Sequence, residues 1–477
     1  MMARAYLDTW AGGEFFPKNW EPILGPQKFG GFHSTVSILL AGLNAYFSVP
    51  LPVSLKIINV IAFSFYDFSI LFFLTCFFAL KRGTFNLIHL LGFLSVSYLS
   101  PFPSRFLGSG GGAHVLASAF GVFVLGLVLN LYRNRPRSEN PYLMIALLCL
   151  VSLSIHPMPI FHTLLLAPFF VCLFLFYHQK SMSLKEDFQP FFKLLIYAII
   201  FCLPIVVTFS RPLGPYQDSI KLWISHVKTT YSISYTWQQD LPIFWGELLA
   251  FCFFILKQFG LHISILACIH IFVGRRTIIH QYYYHLFVIM LALMWFGSSL
   301  PFIGSAFYPD RMMQFGFIFL SVNLIWALSK LENVSNSRLV FAGTILVVSF
   351  FSITRFTWSY VIQAGKNVLL TEEDMQVIKE IPKFVEKNQM IETSYHDAGA
   401  WIPSLVGRPV SEPHYHLSME MSWKEYKKNI GNQERKFIFT GSRCNQDPAC
   451  KISCEGAHRQ VLIEKGSSKF CYYDQEG

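Results

Sequence analysis

The sequence predicts an α-helical polytopic membrane protein of about ten transmembrane helices, with a small α/β domain outside the cytoplasm at its C-terminal end. Three observations lead there. Of 477 residues, 53% are hydrophobic and only 14% charged, where soluble domains carry about a quarter. Apolar runs of spanning length recur along most of the chain. Four cysteines crowd into its last stretch. The formal charge of +10 would also suit a nucleic-acid binder. A membrane protein, however, gathers Lys and Arg in its cytoplasmic loops, and no finger, helix-turn-helix or RNA-binding motif occurs here. Nucleic acid is not an expected partner; membrane lipids are.

Residues 1–52 read as an external leader, polar and aromatic-rich, with one apolar helix at 34–47 that is short for a crossing and suits the membrane surface. The membrane body follows at 53–364. Its apolar runs fall near 53–80, 85–101, 112–132, 141–157, 158–177, 190–209, 242–274, 283–302, 312–329 and 339–362. The 242–274 run is too long for one helix and carries Lys257, so it reads as one crossing plus a surface or re-entrant helix. If 53–80 is the first crossing, one set of connections holds Lys81, Arg82, Arg133, Arg135, Arg137, Lys180, Lys185, Arg275, Arg276, Lys330 and Arg338. The opposite set holds only Arg105, Arg211, Lys221, Lys228 and Arg311. The positive-inside rule makes the first set cytoplasmic. The chain is then a multi-pass protein of the cytoplasmic membrane, with its leader, Asp310-Arg311 and everything after 364 outside.

The tail, 365–477, is long enough for a small core helped by disulfides. "LLTEEDMQVIKEIPKFVEKN" has Thr371 as N-cap, acids in the first turn and apolar residues at helical spacing. "RKFIFTGS", "RQVLIEKG" and "KFCYY" read as strands. Cys444, Cys450, Cys454 and Cys471 are spaced C-x5-C-x3-C-x16-C, without the paired C-x2-C knuckles of zinc sites. Outside the cytoplasm such a group predicts two disulfides, in any of three pairings.

The topology gathers a polar set at the outer boundary: Asp8, Glu14, Lys18, Glu21, His33, Arg105, His156, His162, Asp310 and Arg311. Such residues suit a lipid-linked phosphate. Arginine binds phosphate through paired N–H groups, a carboxylate can deprotonate an acceptor hydroxyl, and a divalent ion, Mg or Mn, could bridge carboxylate and pyrophosphate. Each residue also has a plainer reading. Asp310 can cap a helix whose Arg311 reaches lipid headgroups. His156, in "SIHPMP", can bond a carbonyl freed by proline. His33 can be an interfacial aromatic, Arg105 a solvated loop charge and Asp8 a surface acid. No P-loop, G-x-S-x-G, H-E-x-x-H or dinucleotide fingerprint competes.

The order of these features resembles a family. "YLDTWAGGEFFPKNWEPILGP…FGGFHS", "HPMPIFH", "FYPDRMMQFGFIFLSVNLIWAL" and "TSYHDAGAWIPSLVGRPV…FIFTGSRC" together look like the GT-C class of integral membrane glycosyltransferases. The likeness is to a prokaryotic branch with a small external C-terminal domain. It implies a GT-C-like fold and transfer of a sugar from a polyprenyl-phosphate donor to an external glycan, lipid or protein acceptor. It also implies a base or metal ligand in the first external loop, here Asp8 or Glu14, and a donor lipid-phosphate site at Asp310 and Arg311, to which Arg105 and His156 are added by their place at the outer boundary. Lys18 and His33 are further outer-face candidates. Asp397, Trp401, Gly407 and Arg408 match a recurring tail pattern of unassigned role. Members of the class begin with a cytoplasmic N-terminus and a first transmembrane helix, whereas this sequence opens inside the following loop. A truncated start is therefore expected.

Two other readings belong to different classes. A non-catalytic membrane subunit would bind a partner through the tail. A transporter would need ionisable residues in mid-membrane, for which Asp67 and Glu247 are candidates.

Overall fold

A computed structural model describes residues 34–78, 86–97, 112–134, 138–156, 309–332, 338–356, 370–386, 389–394, 397–411, 436–444, 452–456 and 458–473, with Leu7 and scattered positions in 159–171, 189–201 and 249–266. The chain divides into two compact units: 57–364, and 1–56 together with 365–477.

The first unit is helical. Helix α1 (Ser34–Phe47) precedes it, and α2 (Leu51–Phe77) leads into it. Helices α3 (Leu87–Ser97), α4 (Gly112–Asn134), α5 (Asn140–Ile155), α6 (Pro309–Glu332) and α7 (Arg338–Phe356) follow. Among the described residues, α2 and α4 are the two helices long and apolar enough to cross a membrane. Helices α3 and α5, with 11 and 16 residues, fall short of the roughly 20 that a bilayer core requires. The ten spans expected from hydropathy are therefore not seen as ten. Much of 158–177, 190–209 and 242–274, and all of 283–302, lies outside the described residues.

Phenylalanine contacts fix how α2 and α4 run. Phe65 meets Phe120 with ring centroids 4.8 Å apart, and Phe72 meets Phe123 at 4.5 Å. Further along, the Arg133 guanidinium donates to the Cys76 carbonyl. Contacts that advance together along both chains make the two helices parallel, and Arg133 satisfies a carbonyl that the end of α2 leaves unpaired. Helix α5 returns antiparallel to α4, with the Ser152 hydroxyl donating to the Ala117 carbonyl at 3.1 Å. Helix α3 packs on α6 and α7, and its Ser95 hydroxyl bonds Ser321 of α6.

Apolar side chains face outward on several of these helices. Val60 on α2, Met144 on α5, and Leu346, Phe350 and Ile353 on α7 are exposed, Leu346 at 69%. Polar ones turn inward. Ser69, Ser95, Ser118, Ser152, Gln314, Ser321 and Asn323 are buried. This reverses the pattern of a water-soluble bundle.

The tail is a four-stranded sheet ordered β1-β2-β4-β3, with β1 (Ile391–Glu392), β2 (Phe437–Thr440), β3 (Arg459–Lys465) and β4 (Ser468–Tyr473). β1 and β2 are parallel, and the other pairs antiparallel. Alternation along β2 divides its labour. Phe437 and Phe439 join Val377 and Ile378 of helix α8 (Glu372–Glu380) in the core. Ile438 instead packs on Cys454 and Cys471. These two cysteines form a disulfide with Cα atoms 5.8 Å apart, so a covalent bridge packs on the side of β2 opposite the one that meets helix α8. Cys444 is also disulfide-bonded, and Cys450 lies outside the described residues.

Helix α8 begins as its sequence predicts. Thr371 accepts from the Asp374 N–H at 3.2 Å, and the Asp374 carboxylate accepts from the Thr371 N–H at 2.9 Å, a capping box. The bridge between Cys454 and Cys471 closes a loop with a sequence separation of 17, which stabilises a domain by about 3 kcal/mol. The double change Cys454→Ser, Cys471→Ser should speed hydrogen exchange of the β2 and β4 amides in the full chain by a matching factor. Unchanged exchange would show the bridge to be dispensable.

Candidate functional site

Three helix ends meet in the body: the start of α4, the end of α5 and the start of α6. His114, in the first turn of α4, is buried and stands edge-to-face with His156, ring centroids 4.8 Å apart. His156 is the C-cap of α5, with extended backbone, and its N–H bonds the Ser152 carbonyl at 2.9 Å. The chain then returns beside α4. The Thr163 hydroxyl donates to the Pro159 carbonyl at 2.9 Å, and Gly121 of α4 gives room for it, since a Cβ there would strike the Thr163 hydroxyl. His162, fully buried, stands edge-to-face with Phe315 of α6 at 6.1 Å. Beside Phe315, the Gln314 amide donates to the Ser118 hydroxyl of α4 at 3.3 Å.

Asp310 and Arg311 lie in the first turn of α6, directly after Pro309. A helix opened by proline loses no intrahelical hydrogen bond, and an acid there complements the positive end of the helix dipole. One turn separates the pair from Gln314 and Phe315. The backbone therefore sets Asp310 and Arg311 at the same end of α6 as the side chains that reach His162 and Ser118.

Of the residues expected at the outer boundary, His156 and His162 fall in this cluster, and Asp310 and Arg311 open the helix that completes it. Asp8, Glu14, Lys18, Glu21, His33, Arg105 and Glu247 lie outside the described residues. Sequence reasoning missed His114, Ser118 and Gln314. The signal was available in kind: a histidine two residues into an apolar helix, opposite another histidine at the end of the next. Only the α4–α5 pairing joins them.

The tail pattern around Asp397 is built into the domain. Gly407 caps helix α9 (Ile402–Val406) in the left-handed conformation, φ 65°, which glycine adopts without penalty. Arg408 spends its guanidinium on backbone carbonyls, at 2.8 Å from Val385 and 3.3 Å from Val406. Trp401 ends the short 3-10 turn Ala398–Trp401 that leads into α9. Asp397, buried, accepts from the Gly441 N–H at 2.7 Å through Oδ2, while Oδ1 accepts no hydrogen bond among the described residues. The neighbouring amide, Ser442 N–H, donates to Asp374 at 2.7 Å. These roles are structural.

Among the described residues no group of three or more His, Cys, Asp or Glu side chains is placed to hold a metal ion. No family model matches the chain, and no curated protein does.

Burial raises the Asp397 pKa above its ordinary 3.8, and the nearby Asp374 carboxylate pushes the same way. A raised carboxyl pKa makes the folded state bind a proton more tightly than the unfolded one. Its contribution to stability is complete below 3.8 and is lost as pH rises through the folded value. Asp397→Asn keeps an oxygen for the Gly441 N–H and removes the titration. In thermal melts, the wild-type tail should lose stability relative to the variant on going from pH 4 to neutral pH, and the two should converge in acid. Parallel pH profiles would remove Asp397 as the source.

Proposed function

We propose that the chain is a membrane-embedded glycosyltransferase of GT-C type, taking a sugar from a polyprenyl-phosphate donor and passing it to an acceptor outside the cytoplasmic membrane. One observation carries the reading: the polar end of the body, where His114 faces His156 and Asp310 and Arg311 open α6. The outward apolar faces of α2, α5 and α7 support a lipid setting. The orientation of the basic loops supports an external site and tail, and the resemblance supplies the substrate class. On this reading the body crosses about ten times, the shorter helices included.

The roles follow from charge. In transfer, the bond between the anomeric carbon and the phosphate oxygen breaks as the acceptor oxygen attacks that carbon. Negative charge collects on the departing polyprenyl phosphate, which Arg311 and the positive end of α6 stabilise. The acceptor's proton passes to a base, an imidazole of the pair or an acid of the leader, Asp8 or Glu14. No step is assigned to a divalent metal.

The test is transfer of labelled sugar from a panel of polyprenyl-phosphate donors by membranes containing the full chain. Arg311→Ala, Asp310→Asn and His156→Ala should each lower transfer by about 10²-fold or more at unchanged membrane abundance. Wild-type rates in all three would remove this site from the reaction.

A further inference from the structure

We propose that Asp67 and Ser97 form a binding site for an alkali-metal cation inside the helical body. The inference does not rest on the transferase reading.

Asp67 is the seventeenth of the 27 residues of α2, the longer of the two membrane-length helices. A carboxylate so placed is costly unless something compensates it. Its Oδ1 is buried and accepts no hydrogen bond among the described residues. Ser97, the last residue of α3, is fully buried. Its hydroxyl stands near enough to the carboxylate to interact with it, yet the two do not close a hydrogen bond of good geometry, and the Ser97 Oγ has no other partner among the described residues. A buried hydroxyl beside a carboxylate with one buried oxygen still unsatisfied can share a third partner with it.

The character of that third party follows from the donors. Both groups offer oxygen. A carboxylate and a hydroxyl make an all-oxygen, net negative setting, the donor chemistry that hard cations take. Arg133 of α4 is occupied with the carbonyls of Cys76 and Phe77, more than two turns along α2 from Asp67. A single carboxylate balances one positive charge, whereas divalent calcium sites recruit several acids. The geometry points to a monovalent ion.

The experiment uses the full chain purified in detergent, at fixed pH and ionic strength, with choline chloride replaced stepwise by NaCl or KCl. Sodium or potassium should raise the melting temperature saturably, by about 2–4 °C. Ser97→Ala should weaken the apparent affinity by about tenfold, Asp67→Asn should abolish the response, and Asp397→Asn in the tail should leave it intact. If Asp67→Asn fails to fold, Asp67→Glu, which keeps the charge but moves it, should shift the affinity. Retention of ²²Na⁺ by the wild-type protein in the same detergent gives a direct reading. Melting that ignores both cations overturns the proposal. So does a cation response that survives Asp67→Asn, or a melting temperature that ignores the cations and has a pH dependence that Asp67→Asn removes and Asp397→Asn does not, which would make Asp67 a proton site.

Discussion

One requirement shapes the body: a polar group buried away from water is costly unless it is hydrogen-bonded. The helices answer with short local bonds, as where the Ser69 hydroxyl returns to the Phe65 carbonyl at 2.7 Å and Thr75 to Leu71 at 2.7 Å. They answer between helices too, where Ser95 meets Ser321, Ser152 meets Ala117 and Gln314 meets Ser118. Small residues make the approach possible: Gly92 of α3 packs under Ile325, and Gly126 of α4 packs under Phe72. Helix position, helix spacing and the site at the bundle end all follow from that inward turn of polarity.

The tail meets the same requirement with charge. Acids near its helix starts accept from the backbone of turns that sheet pairing leaves open. Glu373 takes the Ser467 N–H in the β3–β4 hairpin at 2.9 Å, where Gly466 at φ 54° lets the carboxylate approach. Asp374 and Asp397 take the two amides that follow β2. Hydrogen bonds to a charged group are stronger than neutral ones, and in a domain with so small a core they contribute what a larger apolar interior would otherwise supply.

How far the sequence foretells this differs by region, for physical reasons. The helix at 34–47 and the capped start of α8 coincide with their predicted positions, because each is written locally, in apolar composition or in a Thr-x-x-Asp box. Strands β2, β3 and β4 fall on the three runs that read as strands. β1, of two residues, was invisible: it exists only because Ile391 and Glu392 pair with Phe437 and Ile438. At the bundle end His156 stood out in its proline-broken turn, and Asp310-Arg311 stood out against an apolar run. His114, Ser118 and Gln314 did not. A serine or glutamine within an apolar helix has no local mark of partnership, and its role is set by a helix distant in sequence, as Gln314 is from Ser118. The tail's Asp-x-Gly-x-Trp pattern was legible as a pattern but not as architecture.

The turn after β2 has a further meaning. In open α/β sheets, ligands settle beyond the carboxyl ends of parallel strands, where free amides welcome an anion. Here Gly441 and Ser442 occupy that position behind β2, and Asp397 and Asp374 already fill it. The domain is its own ligand at this edge. A phosphate or acidic peptide arriving there would find both of these amides already taken by carboxylates.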